Sequence, residues 1–427
     1  MKLTIIGIGY VGVITAAVFA DFGNQVFGLD IDIKRIKTLK KGQVPFYEPQ
    51  VEEFLKRGLT TGRLKFTTSY KEAIPQSEII FICVGTPQKE TGEVNLDYVY
   101  EASKQIAAYI KNGTIIVIKS TVPPGTADQI KKIVKKITKK KFSLASCPEF
   151  LREGQAIADT LHPSRIVIGA EDQKTTQVLL DLHKPINGKI IICDIPSAQM
   201  IKYAANAYLA LKVSFANSLA RLCEKVGADA KFVMDGIGSD PRIGRQFLYP
   251  GLGFGGSCFP KDTAALSYLA KSAGYPLKII DVANQINQEQ IDFILKKINT
   301  LSRGVKGKTI GILGLSFKPN TDDMREARSV ILIERLLHLG AKIKAYDPVA
   351  IKNAKKIIKK VVFTQNPYQA AKDSHLLVIV TEWNEFKDLD LKKIKKLMKT
   401  PIIVDGRNIY EPATLKKLGF VYQGIGR

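Results

Sequence analysis

Three short stretches of this chain carry residue types that could do covalent and acid–base chemistry. In GFGGSCFPKD (residues 253–262), one cysteine, Cys258, follows a glycine run, and a helix-compatible segment begins near Pro260. A thiol at a helix start, with Lys261 and Asp262 within one turn, can be held as thiolate by the helix dipole and an ammonium group. The thiolate is the form that attacks a carbonyl carbon. Taken alone, the stretch reads more readily as a glycine-rich loop over a buried thiol. The second stretch, CPEFLREG (residues 147–154), places the carboxylates Glu149 and Glu153 close together. In the third, Lys202 and Asn206 are four residues apart and so share a helix face, although an isolated pair of this kind is usually plain surface.

These residues need a frame, and the first thirty residues begin one. Residues 2–6 read as a buried parallel strand. GIGYVG (Gly7, Ile8, Gly9, Tyr10, Val11, Gly12) follows at once and opens a helix running to about Phe22, and a second strand, 25–29, is closed by Asp30. That order is the dinucleotide-binding pattern. Gly7 makes the tight turn, Gly9 lets a pyrophosphate touch backbone, and Gly12 lets helix and strand pack. Phosphate charge then meets a helix N-terminus. Asp30 suits ribose hydroxyls and repels a 2′-phosphate, which favours NAD over NADP, while Arg35 is of the type that serves NADP. Residues 3–20 are uncharged and resemble a signal peptide or a membrane span, but only the strand–turn–helix reading uses the glycines and Asp30.

Strand–helix alternation continues. Strands over 78–84, 114–119 and 142–146 end at Thr86, at Thr121 and at the Glu149/Glu153 loop, so these residues belong to one rim beyond the strand ends. Threonines there also commonly cap helices. Residues 197–226 hold no turn residue and show helical spacing, which predicts a long helix able to link domains and carry a dimer interface. A second α/β unit starts at Lys308, with strands over 309–315 and 342–346 and an acid, Asp347, in the place of Asp30. It lacks the full glycine pattern. A second dinucleotide is therefore not implied; FKPNTDDMREA (residues 317–327) occupies the turn, and such a duplicated half is well placed to hold a nucleotide-type substrate. Residues 375–380 and 402–405 add strands, Trp383 reads as packing, and residues 423–427 read as an unpaired tail. The expected fold is α/β: two Rossmann-like, doubly wound parallel-sheet domains, 1–196 and 302–427, joined by a long central helix and helical domain, 197–301.

Composition narrows the partners. Among 427 residues the formal charge is +24, with 45% hydrophobic and 24% charged residues. The lysines fall in pairs between apolar residues, as on the solvated face of amphipathic helices, and no nucleic-acid motif accompanies them. A positive field also suits anionic small substrates. Five cysteines without a CxxC pair, and only four histidines, fit a reducing cytoplasm and argue against a disulfide framework or a metal centre.

The motifs GIGYVG, STVPPGT, CPEFLREG, the Lys-x-x-x-Asn helix, PGLGFGGSCFPKD and FKPNTDDMREA occur in this order over nearly the whole chain. In this the chain resembles the UDP-glucose/GDP-mannose dehydrogenase family of nucleotide-sugar dehydrogenases. The resemblance implies oxidation of a sugar C6 alcohol to a carboxylate with two NAD. Cys258 is then the nucleophile, and Lys202 or an Asp262-held water handles the hydroxyl proton. Glu149, with Thr121, activates water, and Asn206 orients Lys202 or binds the sugar. Phe150, Leu151, Arg152 and Phe259 line the sugar site. Phe247, Leu248, Tyr249, Pro250, Gly251 and Gly255 wrap the uridine diphosphate, with Lys318 and Arg407 meeting the substrate. The GIGYVG residues, Asp30, Arg35, Thr86, Thr121, Glu153, Lys261 and Arg325 meet NAD, and no metal is expected. Arg242 reaches the substrate of a neighbouring subunit in a homodimer. The SCFPKD and YPGLGFGG wording leans to UDP-glucose over GDP-mannose or a UDP-N-acetyl-hexosamine. A two-electron hydroxyacid dehydrogenase of similar architecture would need no cysteine.

Overall fold

The computed structural model describes all 427 residues, and the chain divides into two compact units, Met1–Ala205 and Asn206–Arg427. The strands of the first unit are β1 (Lys2–Ile6), β2 (Gln25–Leu29), β3 (Leu64–Thr67), β4 (Ile79–Ile82), β5 (Thr114–Ile118), β6 (Phe142–Ser146), β7 (Arg165–Ala170) and β8 (Lys189–Cys193). They form one sheet in the order β3-β2-β1-β4-β5-β6-β7-β8. The central strands are unbroken apolar runs because both faces are covered. Leu3, Ile5, Phe81 and Val117 enter one core, while Ile6, Ile80, Ile82, Ile116 and Ile118 enter the other. That is the two-residue alternation of a strand applied to two buried sides.

One feature departs from the all-parallel expectation. β7 runs antiparallel to β6, with Ala145 opposite Ala170. The only helix between them, Ala156–Leu161, has six residues. At ~1.5 Å per residue it is too short to carry the chain back along the sheet, so β7 starts from the rim where β6 ended. The 147–155 loop therefore stays at the C-terminal strand edge.

The second unit repeats the frame. Its strands β9 (Thr309–Leu313), β10 (Lys342–Tyr346), β11 (Val361–Phe363), β12 (Leu376–Ile379), β13 (Ile402–Asp405) and β14 (Val421–Gln423) lie in the order β11-β10-β9-β12-β13-β14, all parallel. β14 overturns the unpaired-tail expectation. It covers β13, which would otherwise present an open edge. Beyond it, the Gly426 N–H donates to Glu224 at 2.7 Å, and Arg427 pairs with Asp229 (3.1 Å) and Glu411 (2.9 Å).

The long helix is Ile195–Val226, 32 residues, and it runs across the boundary between the units. It starts two residues before the sequence pattern suggests. Pro196 fits the first turn, where its missing N–H costs nothing, and Asp194 accepts from the Ser197 N–H at 2.7 Å. No helix of the chain is long and apolar enough to cross a membrane.

Candidate active site

In the first unit, the turn after β1 is built for close approach. Gly7 has φ +88°, and its N–H donates to Leu29 O at 2.8 Å. A Cβ on Gly12 would stand 2.0 Å from Gly7 O, so only glycine lets the helix Tyr10–Asp21 begin there. A Cβ on Gly9 would meet nothing within 4 Å. Gly9 is the N-cap, without a side-chain cap bond and with no acid in the first turn. An open helix N-terminus beside a bare glycine fits a pyrophosphate. At the end of β2, Asp30 accepts from the Ile8 N–H, the Asp32 N–H and Arg35 Nη1, each at 2.9 Å. Arg35 thus holds the carboxylate in place, and the residues present fit NAD. Val11 lies half-buried in the first helical turn.

The rim residues gather beside this turn. Thr86 Oγ1 donates to Thr121 O at 3.0 Å, tying the loops after β4 and β5. Ser120, unmarked in the sequence reading, locks the same loops by donating to Ile82 O and Val84 O. In the loop after β6, Glu149 accepts from the Leu151 N–H at 2.6 Å and from Lys202 Nζ at 2.9 Å. Lys202 is only 3% exposed, so the Lys/Asn helix face is interior, not surface. Burial pushes the Glu149 carboxyl up, but the Lys202 ammonium, the Leu151 N–H and Lys119 more than reverse this, and the net shift is down. Glu149 and Lys202 are therefore a charged pair. The Phe150 ring lies under the Arg165 guanidinium at 3.7 Å and 5.4 Å from Lys202 Nζ. Arg152 turns outward and grips Asp159 through its N–H, Nε and Nη2. Glu153 lies near enough to Tyr10 to act on its hydroxyl electrostatically.

In the second unit, Cys258 is the N-cap of the helix Phe259–Ser272, with Pro260 in the first turn. Its sulfur lies 3.5 Å from Ser257 Oγ. Burial pushes the Cys83 and Cys147 thiols up to about 12, which leaves them inert near neutrality. Asp262 is fully buried. It accepts from Asn206 Nδ2 at 2.6 Å and Lys261 Nζ at 2.5 Å, so Asn206, Lys261 and Asp262 form one network beneath the cysteine turn.

The glycine run before the cysteine is clamped by side chains that carry no local sequence signal. Asn217 Oδ1 accepts from the Gly251 N–H, and Gln290 Nε2 donates to Gly251 O, both at 2.7 Å. Asn287 exchanges two bonds with the Phe254 backbone. Arg328 reaches Leu252 O at 3.2 Å and Asn287 O at 2.8 Å. A Cβ on Gly255 would lie 2.2 Å from Glu326 O. Phe247 and Phe254 each pack against Phe259 at 6.0 Å.

The remaining expected residues fall in distinct settings. Leu248 packs inward against Ala216 and Met234, and Pro250 is buried. Tyr249 is exposed under Arg245. Arg407 donates to Val380 O at 2.7 Å and pairs with Glu382, close to Gly251. Lys318 lies 5.8 Å from the Phe317 ring. Arg325 and Arg242 point outward, held by Asp323 and Asp240.

A dinucleotide turn over an α/β sheet, with a second Rossmann-like unit, defines an NAD-dependent dehydrogenase. Comparison with known proteins gives the particular family. Residues 1–187, 196–289 and 311–412 match the NAD binding, central and UDP binding domains of the UDP-glucose/GDP-mannose dehydrogenase family. UDP-glucose 6-dehydrogenase TuaD of Bacillus subtilis is 46% identical, over 100% of this chain and 93% of that protein. A UDP-glucose 6-dehydrogenase of Rhizobium meliloti is 42% identical over 100% of both. Among solved structures, a UDP-glucose dehydrogenase from Pyrobaculum islandicum matches with TM-score 0.94 at 37% identity, covering 100% of this chain and 97% of that one. The chain belongs to the UDP-glucose/GDP-mannose dehydrogenase family.

Proposed function

We propose that this chain oxidises the C6 alcohol of UDP-glucose to the carboxylate of UDP-glucuronate, consuming two NAD and one water and releasing two NADH and three protons. The observation that carries the reading is Cys258 at a helix start, above the Asn206–Lys261–Asp262 network. A two-electron dehydrogenase has no use for such a thiol. NAD, held by the Gly7–Gly12 turn and Asp30, supplies the hydride acceptor for both oxidations.

Lys202, paired with Glu149, stabilises the developing alkoxide, and the hydroxyl proton passes to an Asp262-held water. The Cys258 thiolate adds to the aldehyde carbon. A C–S bond forms, and the carbonyl electron pair moves to oxygen as a thiohemiacetal. Loss of the second hydride leaves a thioester. Water then attacks the thioester carbon, Glu149 accepts its proton, and the C–S bond breaks with the thiolate as leaving group. Glu149 already spends one lone pair on Leu151 and one on Lys202, and a carboxylate has about four, so it can still accept from water.

Identity to proteins named as UDP-glucose 6-dehydrogenases supports this sugar over GDP-mannose or a UDP-N-acetyl-hexosamine. The second unit, with Phe247–Gly251, Gly255, Lys318 and Arg407, is the reading's uridine diphosphate holder. A free catalytic thiol suits the reducing cytoplasm. Tyr208, Phe215 and Leu222 recur every seven residues on the long helix and are each half exposed or more, which supports pairing with a second copy, with Arg242 reaching across.

The test is a screen of UDP-glucose, GDP-mannose and UDP-N-acetyl-hexosamines that counts NADH per sugar. Two per UDP-glucose is expected, and one would sink the four-electron reading. C258S should stop acid formation, and unchanged acid yield would remove the thiol from the mechanism.

A further inference from the structure

Glu48 lies outside every motif assigned above, in PFYEPQ (residues 45–50), and is buried at 6% exposure. Its carboxylate joins segments that are distant in sequence. Oε2 accepts from Tyr10 Oη and from the Gly154 N–H, both at 2.5 Å, and Oε1 accepts from the Ala156 N–H at 2.8 Å. Its loop is fixed on both sides. The Phe46 ring packs on Tyr10 at 5.1 Å, and the Val44 N–H donates to Glu52 at 3.3 Å.

We propose that Glu48 is a positioning residue that ties the dinucleotide turn to the loop carrying Glu149. Tyr10 is the first residue of the helix whose N-terminus faces the pyrophosphate position. Its phenol is held by Glu48 and by the Phe46 ring, so a shift of the turn is felt at Glu48. Burial first, and Glu48 second, push the Tyr10 hydroxyl above its ordinary range, so it remains a donor. At the other end, the Gln155 N–H bonds Arg152 O at 3.0 Å and Arg152 grips Asp159, while the Gly154 and Ala156 N–H groups go to Glu48. The short helix Ala156–Leu161 has no cap from its own N-cap residue, Gln155. Glu48 supplies both the hydrogen-bond acceptor and the negative charge that a helix start favours.

Filling the dinucleotide turn and ordering the Glu149 loop are then coupled, in both directions. The coupling rests on the catalytic reading of Glu149 only for its effect on turnover, not for its effect on loop order.

The experiment is amide hydrogen exchange of the full chain, with and without NADH, for wild type, Y10F, E48Q and E48A. In wild type, NADH should slow exchange at Gly154 and Ala156 beyond their ligand-free protection by about fivefold or more, the lower end of typical coupling between two sites. In Y10F at saturating NADH that protection should fall below about twofold. In E48A both amides should exchange at least about tenfold faster without any ligand. Undiminished NADH protection in Y10F would overturn the proposal, as would unchanged exchange in E48A. Should E48A fail to fold, Y10F and E48Q keep the side-chain volume and still decide.

Kinetics add a reading that a merely structural role would not move. E48Q should raise KM for NAD and lower kcat. A drop in kcat with both KM values unchanged is loss of active fraction and counts against it. If wild type oxidises no nucleotide sugar, the functional reading fails while the exchange results still judge Glu48.

Discussion

The two Rossmann-like units are built on the same turn, and the difference between the turns separates a ligand site from a fastener. Gly7 and Gly314 correspond. Each follows the first strand of its sheet and has positive φ, and each donates at 2.8 Å to the last residue of the neighbouring strand, Leu29 or Tyr346. The next N–H, of Ile8 or Leu315, goes to the acid closing that strand, Asp30 or Asp347. Then they diverge. In the first turn the third position is Gly9, with open space around it, and a helix starts at once. In the second it is Ser316, whose hydroxyl bonds Asp347, and the next helix, Arg328–His338, starts a dozen residues later. Asp30 receives three donors. Asp347 receives five N–H donors, from Leu315, Ser316, Val349, Ala350 and Trp383 Nε1, and a sixth contact from the Ser316 hydroxyl, which it shares with Lys318 O. A carboxylate offers about four lone-pair directions, so Asp347 has none left for a ribose. The second frame kept the shape of a dinucleotide site and lost its vacancy.

The largest effect expected from this contrast comes from neutralising each acid. D347N turns an amide N–H₂ towards backbone donors whichever way it lies. Stability should drop by about 2–5 kcal/mol, since each orphaned buried donor costs ~1–3 kcal/mol, while NADH affinity of the surviving folded protein stays unchanged. D30N should do the reverse, costing less stability and weakening NADH about 10- to 100-fold. Denaturant unfolding and NADH fluorescence titration measure both. Equal stability losses with equal affinity losses would erase the distinction.

A smaller effect tests the glycine at the point of divergence. G9S gives the first turn the residue that the second already has. Nothing crowds it, so stability should change by less than about 0.5 kcal/mol, while NADH affinity falls at least about tenfold. G12A, by contrast, drives a methyl into Gly7 O and should cost about 1–3 kcal/mol as well as the cofactor. If G9S bound NADH like wild type, the open space at Gly9 would not be where the pyrophosphate lies.

Which parts of this were legible in the sequence follows from interaction range. The GIGYVG turn, Asp30, the long helix and the helix-start cysteine are encoded within a few residues, where spacing and turn chemistry act directly. The echo of Asp30 in Asp347 was equally readable, but its saturation was not. It depends on Trp383, 36 residues on, whose packing role was legible and whose hydrogen bond to Asp347 was not. The clamp of Asn217, Asn287, Gln290 and Arg328 on the glycine run is invisible to local pattern for the same reason. Each looks like an ordinary polar residue of a helix until the fold brings it to a backbone carbonyl or N–H. The antiparallel β7 escaped because the sequence shows strands and helices but not which way a strand returns. The covered edge at β14 escaped because three residues carry too little period to read.

The finest division between the turns is a single donor on each side. W383F removes one N–H from Asp347 and leaves four, with the Ser316 hydroxyl contact. R35M removes one guanidinium from Asp30 and leaves two backbone N–H donors. The indole bond is buried, so its loss should cost about 1 kcal/mol in denaturant unfolding, with no change in NADH affinity. Arg35 is about a third exposed and its pair is screened by water, so its loss should cost less than about 0.5 kcal/mol of stability. Yet Asp30, still held by the Ile8 and Asp32 N–H groups, then loses the cation that half-neutralises it. A more negative carboxylate still accepts from a ribose diol but repels a 2′-phosphate more strongly. NADH affinity should fall only a few-fold, while any residual NADPH binding falls further. A rise in NADPH binding in R35M would mean that Arg35 guards the ribose rather than the acid beside it, and the two turns would then differ in less than their acids.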